Sequence, residues 1–191
     1  EKARSITIDP ARLTEDPYEI IHDPEIDVIV EVMGGVQLTK EYILEALSRG
    51  KHVVTANKDL MALHGPDILQ KAQEQRCDVF YEASVAGGIP IIRTLIDGFS
   101  SDRITKIMGI VNGTTNYMLT KMAQEGVSYD DVLKEAQMLG YAEADPTSDV
   151  EGLDAARKMT ILSTLGFRAN VALEDVSTKG MTGVSREDIL Y

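Results

Sequence analysis

The first half of the chain alternates between two hydrophobic rhythms. Ile26-Asp27-Val28-Ile29-Val30-Glu31-Val32 is a short β-branched run, the pattern of a strand covered on both faces. LTKEYILEALSR, residues 38–49, carries Tyr42, Ile43, Ala46 and Leu47 at helical spacing, and Gly50 stops it. KHVVTANK, from Lys51, predicts a strand running into a loop. HGPDILQKAQEQR, from His64, predicts a helix, and CDVFYEA a further strand. This β-α-β-α-β order predicts a parallel sheet with right-handed crossovers.

After residue 83 the rhythm changes. GGIPIIRTLIDGF predicts a helix with Pro90 in its first turn. RITKIMGIVNG, residues 103–113, predicts a long alternating strand. GTTNYMLTKMAQEG and SYDDVLKEAQMLG predict helices, each closed by glycine. Ser148-Asp149-Val150-Glu151 matches a capping box, so the helix of LDAARKMTILSTL should begin near Ser148. Ser185-Arg186-Glu187-Asp188 predicts another helix start. A domain boundary is expected near residues 83–86. A sheet of this type normally opens on a strand and a G-x-G-x-x-G phosphate turn, and none is present. EKARSITIDPARL reads as mid-domain, and the tail stops abruptly. The expectation is an internal piece of a longer chain.

Composition narrows the class. At 191 residues and 43% apolar, the chain is long enough for one domain and part of another. A net charge of −12 argues against nucleic acid or an anionic membrane as partner. No apolar run reaches the ~18 residues of a membrane span. The single cysteine, Cys77, leaves no disulfide framework and no metal-ligand spacing, which fits a reducing, cytoplasmic setting.

Several stretches could carry chemistry, and each has a plainer reading. Gly34 and Gly35 close a predicted strand where ligands of open α/β sheets bind; they also suit an ordinary strand-to-helix turn. Lys58 ends the next strand at the same edge, or is a solvated loop lysine. The carbonyls of EASVAGGIP, residues 82–90, suit a hard cation, or the loop is a tight crossing turn. In NGTTN, residues 112–116, amides at a helix start suit a carboxylate; Asn112 or Thr114 could equally cap that helix. Asp154 and Lys158 share a helix face, as a surface ion pair would. Cap and helix dipole account for Asp145, Ser148 and Glu151, but not for Glu143 upstream.

IVNGTTNYMLTKM and GYAEADPTSDVEGLDAARK together resemble the signature region of homoserine dehydrogenases. DVIVEVMGG, ALSRGKHVVTANK, YEASVAGGIPII and DVSTKGMTGVSREDI match in family order, so the resemblance covers nearly the whole chain from about residue 25. It implies an α/β fold: a partial Rossmann-type parallel sheet over residues 1–83, then a mixed α/β catalytic and dimerisation domain over residues 84–191. The implied reaction is the NAD(P)-dependent interconversion of L-homoserine and L-aspartate 4-semialdehyde, on the route to threonine and methionine. The implied assembly is a cytoplasmic homodimer acting on this small substrate. The alternative is a catalytically incompetent piece that only folds, dimerises and binds substrate.

By motif, Lys158 is the implied acid/base lysine, and Lys58 a second active-site lysine near nicotinamide and substrate. Glu143 and Asp154 are implied to hold the substrate, with Asp149 close by and Gly113, Thr114 and Tyr141 lining the pocket. Gly34 and Gly35 match a cofactor-contacting turn for NADP or NAD. EASVAGGIP matches a sodium site with ligands from Glu82, Val85, Gly87 and Ile89, largely through backbone oxygens. The chemistry is consistent. Homoserine's ammonium calls for carboxylates, and its own carboxylate suits amides near Gly113 and Thr114. A rival, an aldehyde dehydrogenase working through a thioester, needs an activated cysteine. Cys77 lies in a predicted buried strand away from these motifs.

Overall fold

The computed structural model describes residues 6–191, so the first five residues of EKARSITIDPARL lie outside the described part. Asp16 caps α1 (Pro17–His22) by accepting a hydrogen bond from the Tyr18 amide. β1 (Val28–Glu31) leads into α2 (Gln37–Ser48), which buries Thr39, Ile43, Ala46 and Leu47. β2 (His52–Thr55), α3 (Lys58–Gln75) and β3 (Val79–Phe80) complete the first half. The strands are parallel in the order β1-β2-β3, with Val28 opposite His52, Glu31 opposite Thr55 and Val53 opposite Val79. The parallel sheet expected from the alternating rhythm is present, but β1 is not covered on both faces, since Val28 and Val30 are exposed.

Two boundaries differ from expectation. α3 starts at Lys58 rather than His64, because Asn57 Oδ1 accepts the Leu60 amide and forms the cap. Lys58 therefore stands on the first turn of a helix, not in a loop, and Pro66 lies inside that helix. β3 is only two residues long, because the chain turns at Tyr81 into a short 3-10 helix over Glu82–Ser84.

Beyond it, α4 (Ile91–Arg93) continues as a π-helical turn over Thr94–Gly98. The predicted strand over residues 103–113 is corrected: residues 103–112 join no sheet. A strand is defined by ladder hydrogen bonds, and no described strand lies alongside to supply them. Its apolar residues still divide between two sides. Ile104, Ile107 and Val111 pack on the main core, while Met108 and Ile110 face outward.

α5 (Gly113–Glu125) and α6 (Tyr129–Met138) form a pair, capped by Asn112 and Ser128 and ended near glycines as predicted. Glu135 ties them together, accepting from Lys121 Nζ at 2.6 Å and from Tyr117 Oη at 2.7 Å. The expected helix start at Ser148 is also corrected. One turn, α7 (Thr147–Val150), is separated from α8 (Leu153–Phe167) by Gly152 at φ +78°. Ser148 caps nothing. Asp145 Oδ1 instead accepts from the Thr147 amide and hydroxyl, and Ser148 Oγ accepts from Arg157. At α9 (Arg186–Leu190) the predicted helix start is present, closed by a capping box between Ser185 and Asp188.

Two apolar clusters result. The larger joins Ile43, Leu47, Val53, Leu60 and Ile68 with Ile161 and Leu162 of α8. Burial of such side chains stabilises by roughly 1.5–3 kcal/mol each. The smaller joins Met118, Met122, Val132, Ala136, Val150 and Met181. Among the described residues no helix is long and apolar enough to cross a membrane.

The α7–α8 break sets where α8 points, and a side chain at Gly152 meets two obstacles. The backbone lies in the left-handed region, and a Cβ would stand 3.0 Å from Thr178 Cγ2 and 3.2 Å from the Lys179 carbonyl oxygen. Gly152→Ala should lower stability by about 1–2 kcal/mol from the backbone term alone. Urea unfolding of variant and parent measures it; equal midpoints would refute the strained junction.

Candidate active site

The first turn of α3 and the first turns of α8 meet at one carboxylate. Asp154 is only 6% exposed. Its Oδ2 accepts from Lys158 Nζ at 2.5 Å and from Asn112 Nδ2 at 2.9 Å, while Oδ1 lies 3.3 Å from Lys58 Nζ. Lys158 spends a second hydrogen on the Val111 carbonyl at 2.7 Å. An ammonium has three N–H donors, so one remains for another partner. Asn112 Nδ2 also donates to Asp149 Oδ1 at 2.7 Å. Beside this group Arg157 Nε stands 2.7 Å from Asp59 Oδ1, close but without hydrogen-bond alignment, and ties the same two helices.

Opposing forces act on Asp154. Burial pushes its carboxyl up. Hydrogen bonds from Lys158 and Asn112, with the charges of both lysines, outweigh that and hold it below the ordinary carboxylate range. The carboxylate is therefore a fixed negative charge at neutral pH, under two donors and beside a second ammonium.

A cleft of about 220 Å³ opens next to Lys58 at the carboxyl ends of β1 and β2, lined by Glu31, Val32, Gly34, Ala56 and Asn57 among others. Its rim is rigidly held. Buried Glu31 accepts from the Met33 and Gly34 amides and from Thr55 Oγ1, and Asn57 Nδ2 donates to the Gly35 carbonyl. Gly34 and Gly35 both have positive φ, and a Cβ at either would meet nothing within 4 Å. The turn thus leaves open space against bare backbone, which suits the close approach of a large ligand.

The remaining predicted residues fall into separate arrangements. Thr114 Oγ1 donates to the Tyr141 carbonyl at 2.6 Å, which joins the start of α5 to the turn after α6. The Tyr141 ring packs against Tyr117, centroids 4.9 Å apart. Gly113 is the first residue of α5, directly after Asn112. The Glu143 side chain is exposed and makes no hydrogen bond or ion pair among the described residues; only its carbonyl is engaged, by Gln137. It is not drawn into the Asp154 cluster. In the loop of Glu82, Val85, Gly87 and Ile89, both Glu82 carboxylate oxygens accept α4 amides, from Ile92 and Arg93 at 2.8 Å each. The Ile89 carbonyl accepts the Ile91 amide. The carbonyls of Val85 and Gly87 accept no hydrogen bond among the described residues, and Ala86 and Gly87 have positive φ.

The family model described as homoserine dehydrogenase matches residues 90–191, and that described as homoserine dehydrogenase, NAD binding domain, matches residues 1–82. A homoserine dehydrogenase of Bacillus subtilis (strain 168) is 61% identical over 191 residues, which is 100% of this chain and 44% of that protein. One from Synechocystis sp. is 48% identical over the same 191 residues, again 44% of its length. The chain belongs to the homoserine dehydrogenase family. The crystal structure of a homoserine dehydrogenase from Thiobacillus denitrificans matches with a TM-score of 0.90 at 49% identity, over 93% of this chain and 41% of that one. A hyperthermophilic archaeal homoserine dehydrogenase in complex with NADPH matches at 0.79 and 30% identity, over 90% of this chain and 53% of that one. The chain thus spans less than half the length of the curated relatives named here.

For this family member, the motif residues Lys58, Asp154 and Lys158 converge, and Asp149 joins them through Asn112. Sequence reasoning took Asn112 only as a helix cap and overlooked the Val111 carbonyl. No local spacing reveals that an amide at residue 112 meets carboxylates at residues 149 and 154. Glu31 was overlooked too, although an acid within a run read as covered on both faces was a usable signal. Cys77 is buried as expected, but it lies between α3 and β3 rather than in the strand.

A carboxylate that is more acidic in the folded chain contributes stability above its unfolded value, and this is lost as pH falls through the lower folded value. Asp154→Asn, which removes the charge that pairs with two ammoniums, should cost about 1–3 kcal/mol at pH 7. The gap should narrow as pH falls below about 4. Urea unfolding of both proteins across pH measures it, and a gap independent of pH would rule out the charge as its source.

Proposed function

We propose that the full-length protein interconverts L-homoserine and L-aspartate 4-semialdehyde with NADP or NAD, in the cytoplasm, on the way to threonine and methionine. The observation that carries this reading is the convergence of Lys58 and Lys158 on Asp154, beside an open glycine turn at the sheet edge. On this reading residues 1–83 are part of the NAD(P)-binding domain and residues 84–191 part of a catalytic and dimerisation domain, with the protein acting as a homodimer.

Each residue then has a task. Gly34 and Gly35 leave room for the cofactor against the backbone, and Lys58 stands beside it. The bound nicotinamide supplies the hydride chemistry. Oxidising a primary alcohol also removes a proton from oxygen, and Lys158 takes it as the neutral amine, becoming the ammonium. Two of its hydrogens are spent on Asp154 and Val111, which aims the third at the substrate oxygen. In the reducing direction the ammonium gives that proton to the developing alkoxide. Glu143, whose carboxylate is free of protein partners, takes the substrate ammonium. Asp154 and Asp149 add negative charge behind it. Gly113 and Thr114 face the substrate carboxylate at the start of α5, and Tyr141 walls the pocket. The loop from Glu82 to Ile89 suits a sodium ion through the Val85 and Gly87 carbonyls, whereas the Glu82 carboxylate is occupied by α4.

The test uses full-length protein and follows NADPH consumption with aspartate semialdehyde. Wild type should turn over. Lys158→Ala should lower kcat by about 10²–10⁴-fold, the range for a lost acid/base group, while KM for NADPH changes little. A silent wild type would refute the reaction. A Lys158→Ala variant with wild-type kcat would refute the role of Lys158.

A further inference from the structure

We infer that Asn112 is a positioning residue for this reaction: its side-chain amide fixes the Asp154 carboxylate, and through it the aim of Lys158 and Lys58. The inference rests on the proposed reaction and assigns a task to a residue that otherwise reads as a helix cap.

Asn112 has its full complement of partners. Its Oδ1 accepts from the Thr115 amide and from Thr115 Oγ1, both at 2.9 Å. The Thr115 amide can only donate, so Oδ1 must face it and the NH2 must face away. The two NH2 hydrogens then go to Asp149 Oδ1 at 2.7 Å and Asp154 Oδ2 at 2.9 Å. With two donors and two acceptors satisfied, and only 9% of the residue exposed, the amide has one orientation. It is anchored to the start of α5, not to α7 and α8, where its two targets lie.

The consequence reaches the lysines. Asp154 Oδ2 is shared between Asn112 and Lys158, which turns Oδ1 toward Lys58. The next residue back, Val111, takes a second hydrogen of Lys158. Residues 111 and 112 thus set both partners of the Lys158 ammonium. Asn112 also keeps Asp149 and Asp154 together by standing between two like charges as a neutral double donor. Without it they would repel, and the carboxylate could rotate away from either lysine. Misplacing a reacting group by about 1 Å can cost on the order of 10²-fold in rate. The charged groups around Asp154 are Lys158 on α8, Lys58 on α3 and, across the amide, Asp149 on α7.

Asn112→Ser separates the two tasks, because serine caps a helix about as well as asparagine but has no second donor and is too short to bridge both carboxylates. In full-length protein it should keep its melting temperature within a few degrees and its KM for NADPH. Its kcat with aspartate semialdehyde should fall by about 10–100-fold, and Asp154 should titrate at higher pH by carboxyl carbon-13 NMR. Asn112→Asp keeps the cap acceptor and the size, so it serves if the serine variant fails to fold. It adds a third carboxylate and should lower kcat at least as far. A serine variant with wild-type kcat and an unchanged Asp154 titration would reduce Asn112 to a cap and overturn the inference. The NMR titration reads out even if wild type fails to turn over, so failure of the reaction and failure of the Asn112 role are told apart.

Discussion

Almost everything at this site depends on one buried carboxylate. Asp154 is held by three groups from three places: Lys158 on its own helix and Asn112 at the start of α5 by hydrogen bonds, and Lys58 at the start of α3 by its charge at 3.3 Å. A buried charge is costly unless it is paired and hydrogen-bonded, so these groups must arrive together. That requirement fixes the mutual placement of helices that share little sequence proximity. It also sets two ammoniums side by side, an arrangement that would repel without the negative charge between them.

Packing holds this junction in place. α8 reaches the main apolar cluster through Ile161 and Leu162, while its first turns carry the charged residues. One helix therefore has an apolar end that anchors and a polar end that carries the charges. The break at Gly152 lets α7 hold Asp149 within reach of Asn112 without continuing the helix through it. On the opposite side, the buried Glu31 and Asn57 hold the Gly34–Gly35 turn, so the sheet edge next to Lys58 stays open and shaped.

Much of the fold was legible because its signals are local. The β-α-β-α-β rhythm, the glycine stops and the helix start at Ser185 each depend on residues a few positions apart, and each is present. The misreadings share a different cause. Residues 103–112 alternate like a strand but have no partner among the described residues, and pairing is not a local property. Ser148-Asp149-Val150-Glu151 has the letters of a capping box. Asp145 binds the Thr147 amide just ahead of α7, Pro146 stands at the cap position, and Gly152 starts α8 afresh. The early start of α3 turned on Asn57, whose side chain was not weighed as a cap.

The site divides in the same way. Sequence by itself determined which residue types are present and that Asp154 and Lys158 share a helix face, because an i, i+4 spacing is a property of the helix. It also marked glycines at a strand end and a lysine at the next. Tertiary structure alone decided that the ion pair is buried rather than on the surface, and that Lys58 completes it from another helix. It decided too that Asn112 bridges two carboxylates, and that Glu143 stays apart. Convergence in space across long stretches of chain is set by packing, through the burial of α8 against the sheet half, and no short-range pattern encodes it.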